Sequence, residues 1–285
     1  MQVYRDLILF LNKLEINNFK LLQMIRTNKL VDLINPSSLE GLDYLNTRDR
    51  EKITGGWKDL DMDKYKNELY KNKIGYITII DKNYPKLLLN TPEPPCVLYY
   101  KGDINILTRP SISLVGTRNP SDYGRWATKK LVKALSDLNI TIVSGMARGI
   151  DGIGHRQAIE ANNKTIGVLA SSLDIIYPKE NHDLYRLMDK QLLVSEFPLS
   201  TQPYKVNFVR RNRIISGLTR GTIVIEAKER SGSLITAQYA AHQNREVFCL
   251  PGNVSSPTSK GTNDLIKKGA KLIDSIEDIM DEIIY

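Results

Sequence analysis

The chain has 285 residues, 41% hydrophobic and 25% charged, with 40 basic against 32 acidic side chains and a net charge of +8. That length and apolar content exclude a disordered or low-complexity chain and support one large or two modest domains with a real core. The positive surplus points to an anionic partner, nucleic acid first.

Cys96 and Cys249 are far apart and lack metal-ligand spacing. Neither a metal site nor a disulfide framework is expected, and the pattern suits a reducing cytoplasm. The early apolar run Leu7 to Leu11 is too short for a bilayer span, and no signal-cleavage pattern comes after it, so no membrane association is expected.

Residues 1–74 read as short helices with polar breaks. Leu7, Ile8, Phe10 and Leu11 form one apolar face, and Phe19, Leu21, Leu22 and Ile25 another. Asn35-Pro36-Ser37-Ser38 reads as a turn, with Ser38 placed to cap the next segment. Gly55-Gly56 is expected to break the helical pattern before a helix near Asp61 to Tyr70. With 13 basic and 11 acidic residues over 1–75, this part is nearly neutral. That suits an accessory packing domain better than a DNA-binding helix-hairpin-helix.

From Gly75 the pattern changes. Tyr76–Ile80 and Val97–Tyr100 are strand-like, separated by Pro92, Pro94 and Pro95, which force an extended connector. Ile112 to Val115 is a buried strand that stops at Gly116. A helical span runs from about Gly124 to Leu138, then a second buried strand, Ile140 to Val143, stops at Ser144-Gly145. Parallel strands require such a crossover, and open α/β sheets bind ligands where their strands end. Strand-like Thr165–Leu169, Leu192–Ser195, Thr222–Ile225 and Val247–Leu250 alternate with helical segments, including one near Leu234 to His242. The expected fold is therefore α/β: an extended Rossmann-like, doubly wound, mostly parallel sheet over 75–285, preceded by a small all-helical domain over 1–74.

The glycine turns allow backbone N–H groups to approach a phosphate, and Arg118 and Arg148 bring charge to the same rim. The sequence fits neither a nicotinamide fingerprint nor a P-loop nor a nucleophile elbow: Gly116 is followed by Thr117-Arg118, and the second strand ends in Ser144-Gly145 rather than an acid. A phosphate cradle remains, without a catalytic centre. Lys205, Arg210, Arg211 and Arg213 cluster without an intervening acid and with Phe208 among them, as a basic loop leading to a short helix from Ile214. Cations plus an aromatic platform suit single-stranded nucleic acid. Alternatively, Arg211 or Arg213 is structural, paired with Glu196 or Glu226. His155 lies four residues after Asp151 on the same helix face, and is read as a buried hydrogen-bonded histidine rather than a general base.

The ordered series Leu114-Val115-Gly116-Thr117-Arg118, Ser144-Gly145-Met146-Ala147-Arg148-Gly149-Ile150-Asp151, Tyr177-Pro178, Ser195-Glu196-Phe197-Pro198, Arg211-Asn212-Arg213, Ser231-Gly232-Ser233 and Pro251-Gly252-Asn253 resembles the DprA family, also called Smf, the DNA-processing proteins of bacterial transformation. The resemblance spans residues 84–275. It implies a cytoplasmic, non-catalytic, cofactor-free protein that binds and protects single-stranded DNA, dimerises and loads the recombinase RecA.

The DNA-binding candidates are Gly116, Thr117, Arg118, Ser144, Gly145, Ala147, Arg148, Gly149, Lys179, Phe208, Arg210, Arg211, Asn212, Arg213, Ser231 and Gly232. Leu265, Ile266 and Leu272 are the candidate dimer contacts. The alternative on the same scaffold is a nucleotide-binding enzyme or sensor of the phosphoribohydrolase kind, whose Pro-Gly-Gly-x-Gly-Thr loop Pro251-Gly252-Asn253 does not reproduce.

Overall fold

The computed structural model describes residues 1–30, 39 and 41–283. The turn expected at Asn35–Ser38 lies outside the described residues. Four helices come first: α1 (Gln2–Lys13), α2 (Asn18–Arg26), α3 (Thr47–Asp59) and α4 (Met62–Lys71); among the later ones are the short α5 (Lys86–Leu89), α8 (His182–Leu187) and α11 (Lys260–Lys267). A reciprocal capping box starts α3. Asp49 N–H donates to Asn46 Oδ1 at 2.9 Å, and Asn46 N–H donates to Asp49 Oδ2 at 3.2 Å.

Gly55-Gly56 does not break this helix, contrary to the sequence expectation. Both lie inside α3, where a Cβ on Gly56 would stand 2.7 Å from Leu14 Cδ1 and 3.1 Å from Phe10 Cζ. The glycine is there to let α1 approach. The cost of Gly in a helix is offset by that close packing.

The sheet has nine strands. They are β1 (Gly75–Thr78), β2 (Val97–Gly102), β3 (Ser111–Val115), β4 (Thr141–Gly145), β5 (Thr165–Val168), β6 (Leu192–Ser195), β7 (Gly221–Val224), β8 (Glu246–Cys249) and β9 (Lys271–Leu272). Their spatial order is β1-β2-β6-β5-β4-β3-β7-β8-β9. The pairs β1–β2 and β2–β6 are antiparallel, and all the others are parallel. The five strands β3 to β7 are buried throughout, so they read as continuous runs rather than alternating ones.

From β3 the chain steps outward through β4, β5 and β6, then returns to β3's other side with β7, β8 and β9. The order reverses between β3 and β7, which makes their carboxyl ends the topological switch point. Helices α6 (Asp122–Asp137) and α7 (Ile150–Glu160) cover one face through Ala127, Val132, Leu135, Ile150 and Ala158 against Ile112, Leu114, Ile142 and Ile223. On the other face, α9 (Lys205–Gly217) and α10 (Gly232–His242) set Ile214, Ile215 and Ala237 against Val115, Val143, Ile166 and Val224.

The amino-terminal helices share a third cluster with the antiparallel edge, in which Phe10, Leu21, Ile53 and Tyr65 meet Val97, Tyr99 and Leu193. Polar groups tie the same seam. Tyr65 Oη lies 3.1 Å from Tyr99 Oη, which in turn donates to Asn12 Oδ1 at 2.8 Å. No helix among the described residues is long and apolar enough to cross a membrane.

Candidate nucleic-acid interface

The turns after β3 and β4 brace each other. Ile150 N–H donates to the Thr117 carbonyl at 3.2 Å, and Gly149 sits at φ +77° with its α-carbon pressed on the Thr117–Arg118 peptide. A Cβ there would come within 2.6 Å of the Arg118 carbonyl carbon, so only glycine fits this crossing. Thr117 N–H donates to the Glu226 carbonyl at 2.8 Å, which fixes the β3 turn against the end of β7.

Two adjoining hollows open on this rim. One, of about 490 Å³, lies over β4 and β5 and is lined by Arg118, Ala147, Arg148, Tyr177, Lys179, Phe208 and Arg211 among others. The second, of about 400 Å³, lies over β3 and β7 and is lined by Gly116, Thr117, Arg118, Asp151, Phe208, Arg211, Asn212, Lys228, Ser231 and Gly232 among others. Arg118, Ala147, Phe208 and Arg211 belong to both. The Phe208 ring has two guanidiniums beside it, with Arg118 Cζ 5.8 Å and Arg211 Cζ 5.9 Å from its centroid, and Tyr177 meets it edge-on at 5.6 Å. The result is an aromatic platform flanked by fixed positive charge.

The basic run is not a loop. It forms the body of α9, and the helical step of about 100° per residue sorts its side chains. Phe208, Arg211, Asn212 and Ile215 share the crevice face. Arg210 and Arg213 turn away from it. Arg213 is buried and grips the buried Glu196 in a fork, with Nη1 to Oε1 at 3.1 Å and Nη2 to Oε2 at 2.7 Å. Arg210 reaches the same carboxylate at 3.5 Å and lies over Phe197. Neither lines the hollows, because Glu196 needs a buried counter-charge and α9 supplies it. Among the basic candidates, therefore, Arg210 and Arg213 leave the crevice set.

Arg211 stays in it, buried yet facing both hollows. Its Nη1 donates to the Val168 carbonyl at 2.6 Å, and its buried Nε has no hydrogen-bond partner among the described residues. Burial lowers its pKa, an effect that Asp151 opposes. Burial also raises the pKa of Asp151, against the nearby Arg211 charge and the Ala147 backbone hydrogen bond.

Ser144 and Gly145 are fully buried beneath the rim. The Ser144 hydroxyl donates to the Leu114 carbonyl at 2.6 Å, and a Cβ on Gly145 would lie 2.7 Å from both Arg211 Cζ and Asp151 Oδ2. They shape the floor rather than line it. Asn212 holds α10's first turn through Nδ2 to the Gly232 carbonyl at 3.2 Å.

His155 is wholly buried, with Nε2 2.7 Å from the Gly145 carbonyl and Nδ1 2.6 Å from Thr165 Oγ1. A carbonyl only accepts, so Nε2 carries the proton. Burial drops the imidazole pKa to about 4. It is a strand-end brace, as its place on the Asp151 face suggests.

Of the structural pairings that the sequence left open, Arg213 with Glu196 is the one formed; Glu226 makes no ion pair with an arginine among the described residues. It accepts from Ser121 N–H at 2.9 Å, Ser121 Oγ at 2.6 Å and Thr258 Oγ1 at 3.0 Å, anchoring the start of α6. Lys228 and Tyr177, which are not among the sequence-derived candidates, also line the crevice. Lys228 sits just past the end of β7, the place where a doubly wound sheet puts ligand-facing residues.

A doubly wound sheet whose switch point carries an arginine-flanked aromatic platform defines a Rossmann-like phosphate- or nucleic-acid-binding protein. The model of the DNA recombination-mediator protein A family matches residues 75–284, and the chain belongs to that family. It is 47% identical over 212 residues to the DNA processing protein DprA of Bacillus subtilis, covering 74% of this chain and 71% of that one. It is 36% identical over 284 residues to the DprA of Streptococcus pneumoniae, covering 94% and 99%.

Among solved structures, the X-ray structure of Streptococcus pneumoniae DprA superposes with a TM-score of 0.86 at 34% identity, over 98% of this chain and 97% of that one. A Helicobacter pylori DprA structure, described for its single-stranded DNA binding mode, gives 0.65 at 34% identity, over 72% and 94%.

Proposed function

We propose that this chain binds single-stranded DNA along the carboxyl rim of its sheet, protects it, and passes it to a RecA-type recombinase as a cytoplasmic homodimer, without a covalent step of its own. The observation that carries this reading is the half-buried Phe208 ring on the crevice rim, with the Arg118 and Arg211 guanidiniums 5.8 and 5.9 Å from its centroid. Guanidiniums take phosphate oxygens and an aromatic face stacks on a base, which together suit a single strand with little sequence preference. Family membership and the Helicobacter pylori relative support the same ligand.

The absence of catalysis is supported by the duties of the buried titratable groups. His155 braces Gly145, Glu226 anchors Ser121 and Thr258, and Glu196 holds Arg213. Residues 75–285 form the DNA-binding domain in this reading. Residues 1–74 are an accessory helical domain that stiffens the antiparallel edge through the Tyr65–Tyr99–Asn12 seam.

Fluorescence anisotropy with a labelled oligothymidine tests the proposal, competed by duplex and by mononucleotides. Tight, salt-sensitive binding that duplex competes weakly is expected. Equal affinity for duplex, or full displacement by a mononucleotide, would overturn it in favour of a duplex reader or a nucleotide sensor.

A further inference from the structure

One stripe of α6 has no part in the crevice. Tyr123 and Trp126 lie on its exposed side with ring centroids 6.1 Å apart, and Trp126 is 56% exposed. A tryptophan that serves only the core is largely covered, so an aromatic pair left this open needs a reason. The pair sits among cations at helical spacing: Arg125, Lys129 and Lys130 are all exposed, and Lys130 Nζ stands 5.2 Å from the Trp126 ring centroid.

Tyr123 is pinned to the same end of the sheet that carries the crevice, because its hydroxyl donates to the Pro251 carbonyl at 3.0 Å, just past the end of β8. The carboxyl rim thus runs from the Arg118–Phe208–Arg211 platform over β3 and β7 to this second aromatic pair beside β8. A hollow of about 480 Å³ lies alongside, lined by Trp126, Lys130, Leu131, Ile276, Asp274 and Glu277 among others. The acids mark the boundary of the positive surface: a polyanion would run along the α6 stripe and away from α12 (Glu277–Ile283).

We infer that the α6 stripe is a second contact for single-stranded DNA, taking bases on Tyr123 and Trp126 and phosphates on Arg125, Lys129 and Lys130, and so extending the path of a strand seated in the crevice. The inference rests on the proposed DNA-binding reading. Charge complementarity selects nucleic acid over a protein partner, because three cations without an ion pair among the described residues surround the aromatic pair. Successive aromatics with interleaved cations are how single strands are held irrespective of sequence.

The chain has two tryptophans, which gives a direct readout. The other, Trp57, stacks on Phe10 at 4.4 Å in the amino-terminal helices. In a Trp57→Phe variant, emission reports Trp126 alone. Labelled oligothymidines of about 6 and about 30 nucleotides, spanning the usual range of single-strand site sizes, are titrated while anisotropy and tryptophan emission are followed together.

Quenching is expected on the long strand and not on one that fills only the crevice. Trp126→Ala with Lys129→Ala should weaken the long strand about tenfold and leave the short one unchanged, on the scale of one stacked base. Saturating anisotropy on the long strand without quenching, with affinity unmoved in the double variant, overturns the second contact and leaves the crevice reading intact. The second contact is also overturned if the double variant binds both strands normally but loses a RecA-type recombinase, which would make the stripe a protein-docking surface. No anisotropy change with either strand fails the crevice reading itself, and this inference with it.

Discussion

Gly145 and Arg211 are in such close contact that the glycine has no room for a side chain: an added Cβ would lie 2.7 Å from Arg211 Cζ and from Asp151 Oδ2. The guanidinium cannot simply swing aside, because Nη1 is bonded to the Val168 carbonyl in a buried site. The end of β4 is therefore the template on which the crevice arginine is set. Gly145→Ala should displace Arg211 and weaken oligothymidine binding at least as much as Arg211→Ala does. Overpacking should also cost about 1–3 kcal/mol of stability. Anisotropy and denaturant unfolding of the two variants check this, and unchanged affinity in Gly145→Ala would detach the two residues functionally.

Arg118 and Arg213 are two arginines in opposite surroundings. Arg118 is exposed, so Arg118→Ala should weaken binding by about 1–3 kcal/mol, the range for hydrogen bonds to charged groups, with the melting temperature unmoved. Arg213 is buried against Glu196, so Arg213→Ala should cost about 3–5 kcal/mol of stability by stranding that carboxylate. Thermal melts beside anisotropy separate the pair. Equal effects of both variants on both readouts would contradict the division.

The alternation of buried strands and helices was legible because β3 to β7 are short runs rich in Ile, Leu and Val, with only small Ser, Thr and Gly between them, that end in glycine or polar turns. The candidate rim followed from those endings, and Arg118, Arg148 and Phe208 stand on it. The basic run was harder. Its helix α9 buries Asn207, Arg211, Asn212, Arg213 and Ser216, so the 3.6-residue apolar period that reveals a helix is missing. Without the helix, the split between Arg211 and Arg213 has no sequence signal, and Glu196 alone does not say which arginine it takes. Gly55-Gly56 misled for a related reason: a glycine chosen for close helix packing looks in sequence like one chosen to end a helix.

His155 gives the fold a pH dependence. Burial lowers its folded pKa to about 4 from 6.5, so the unfolded chain binds the proton first as pH falls. Its neutral form is no burden above pH 6.5. Stability should then decline from about pH 6.5 toward pH 4, by up to about 3 kcal/mol at about 1.4 kcal/mol per unit. Asp151 acts in the opposite direction. Burial raises its pKa from 3.8, so its contribution improves on acidification and partly offsets the loss at the low end. Urea unfolding at pH 7 and pH 5 should show the decline in the wild type and a flatter profile in His155→Gln. A wild-type stability independent of pH over that window would contradict the buried neutral imidazole.

Leu272 lies in β9, the two-residue strand that ends the sheet, and is 43% exposed, whereas its neighbour Ile273 is 1% exposed and packs under α6. Leu265 and Ile266 on α11 (Lys260–Lys267) are half-buried against the other face of the sheet. In the proposed homodimer, this outer strand with its uncovered leucine, beside a helix with partly covered apolar side chains, would supply the two-fold contact. A dimer would carry two crevices and raise avidity for long strands through effective concentration. Sedimentation equilibrium should give twice the 32.4 kDa chain mass at micromolar concentration. Leu272→Arg should then sediment as a folded monomer that binds short oligonucleotides normally and long ones weakly, since an exposed position adds no buried charge within the chain. If the wild type sediments as a monomer, the surface has another use. If Leu272→Arg unfolds, the leucine belongs to the core despite its exposure.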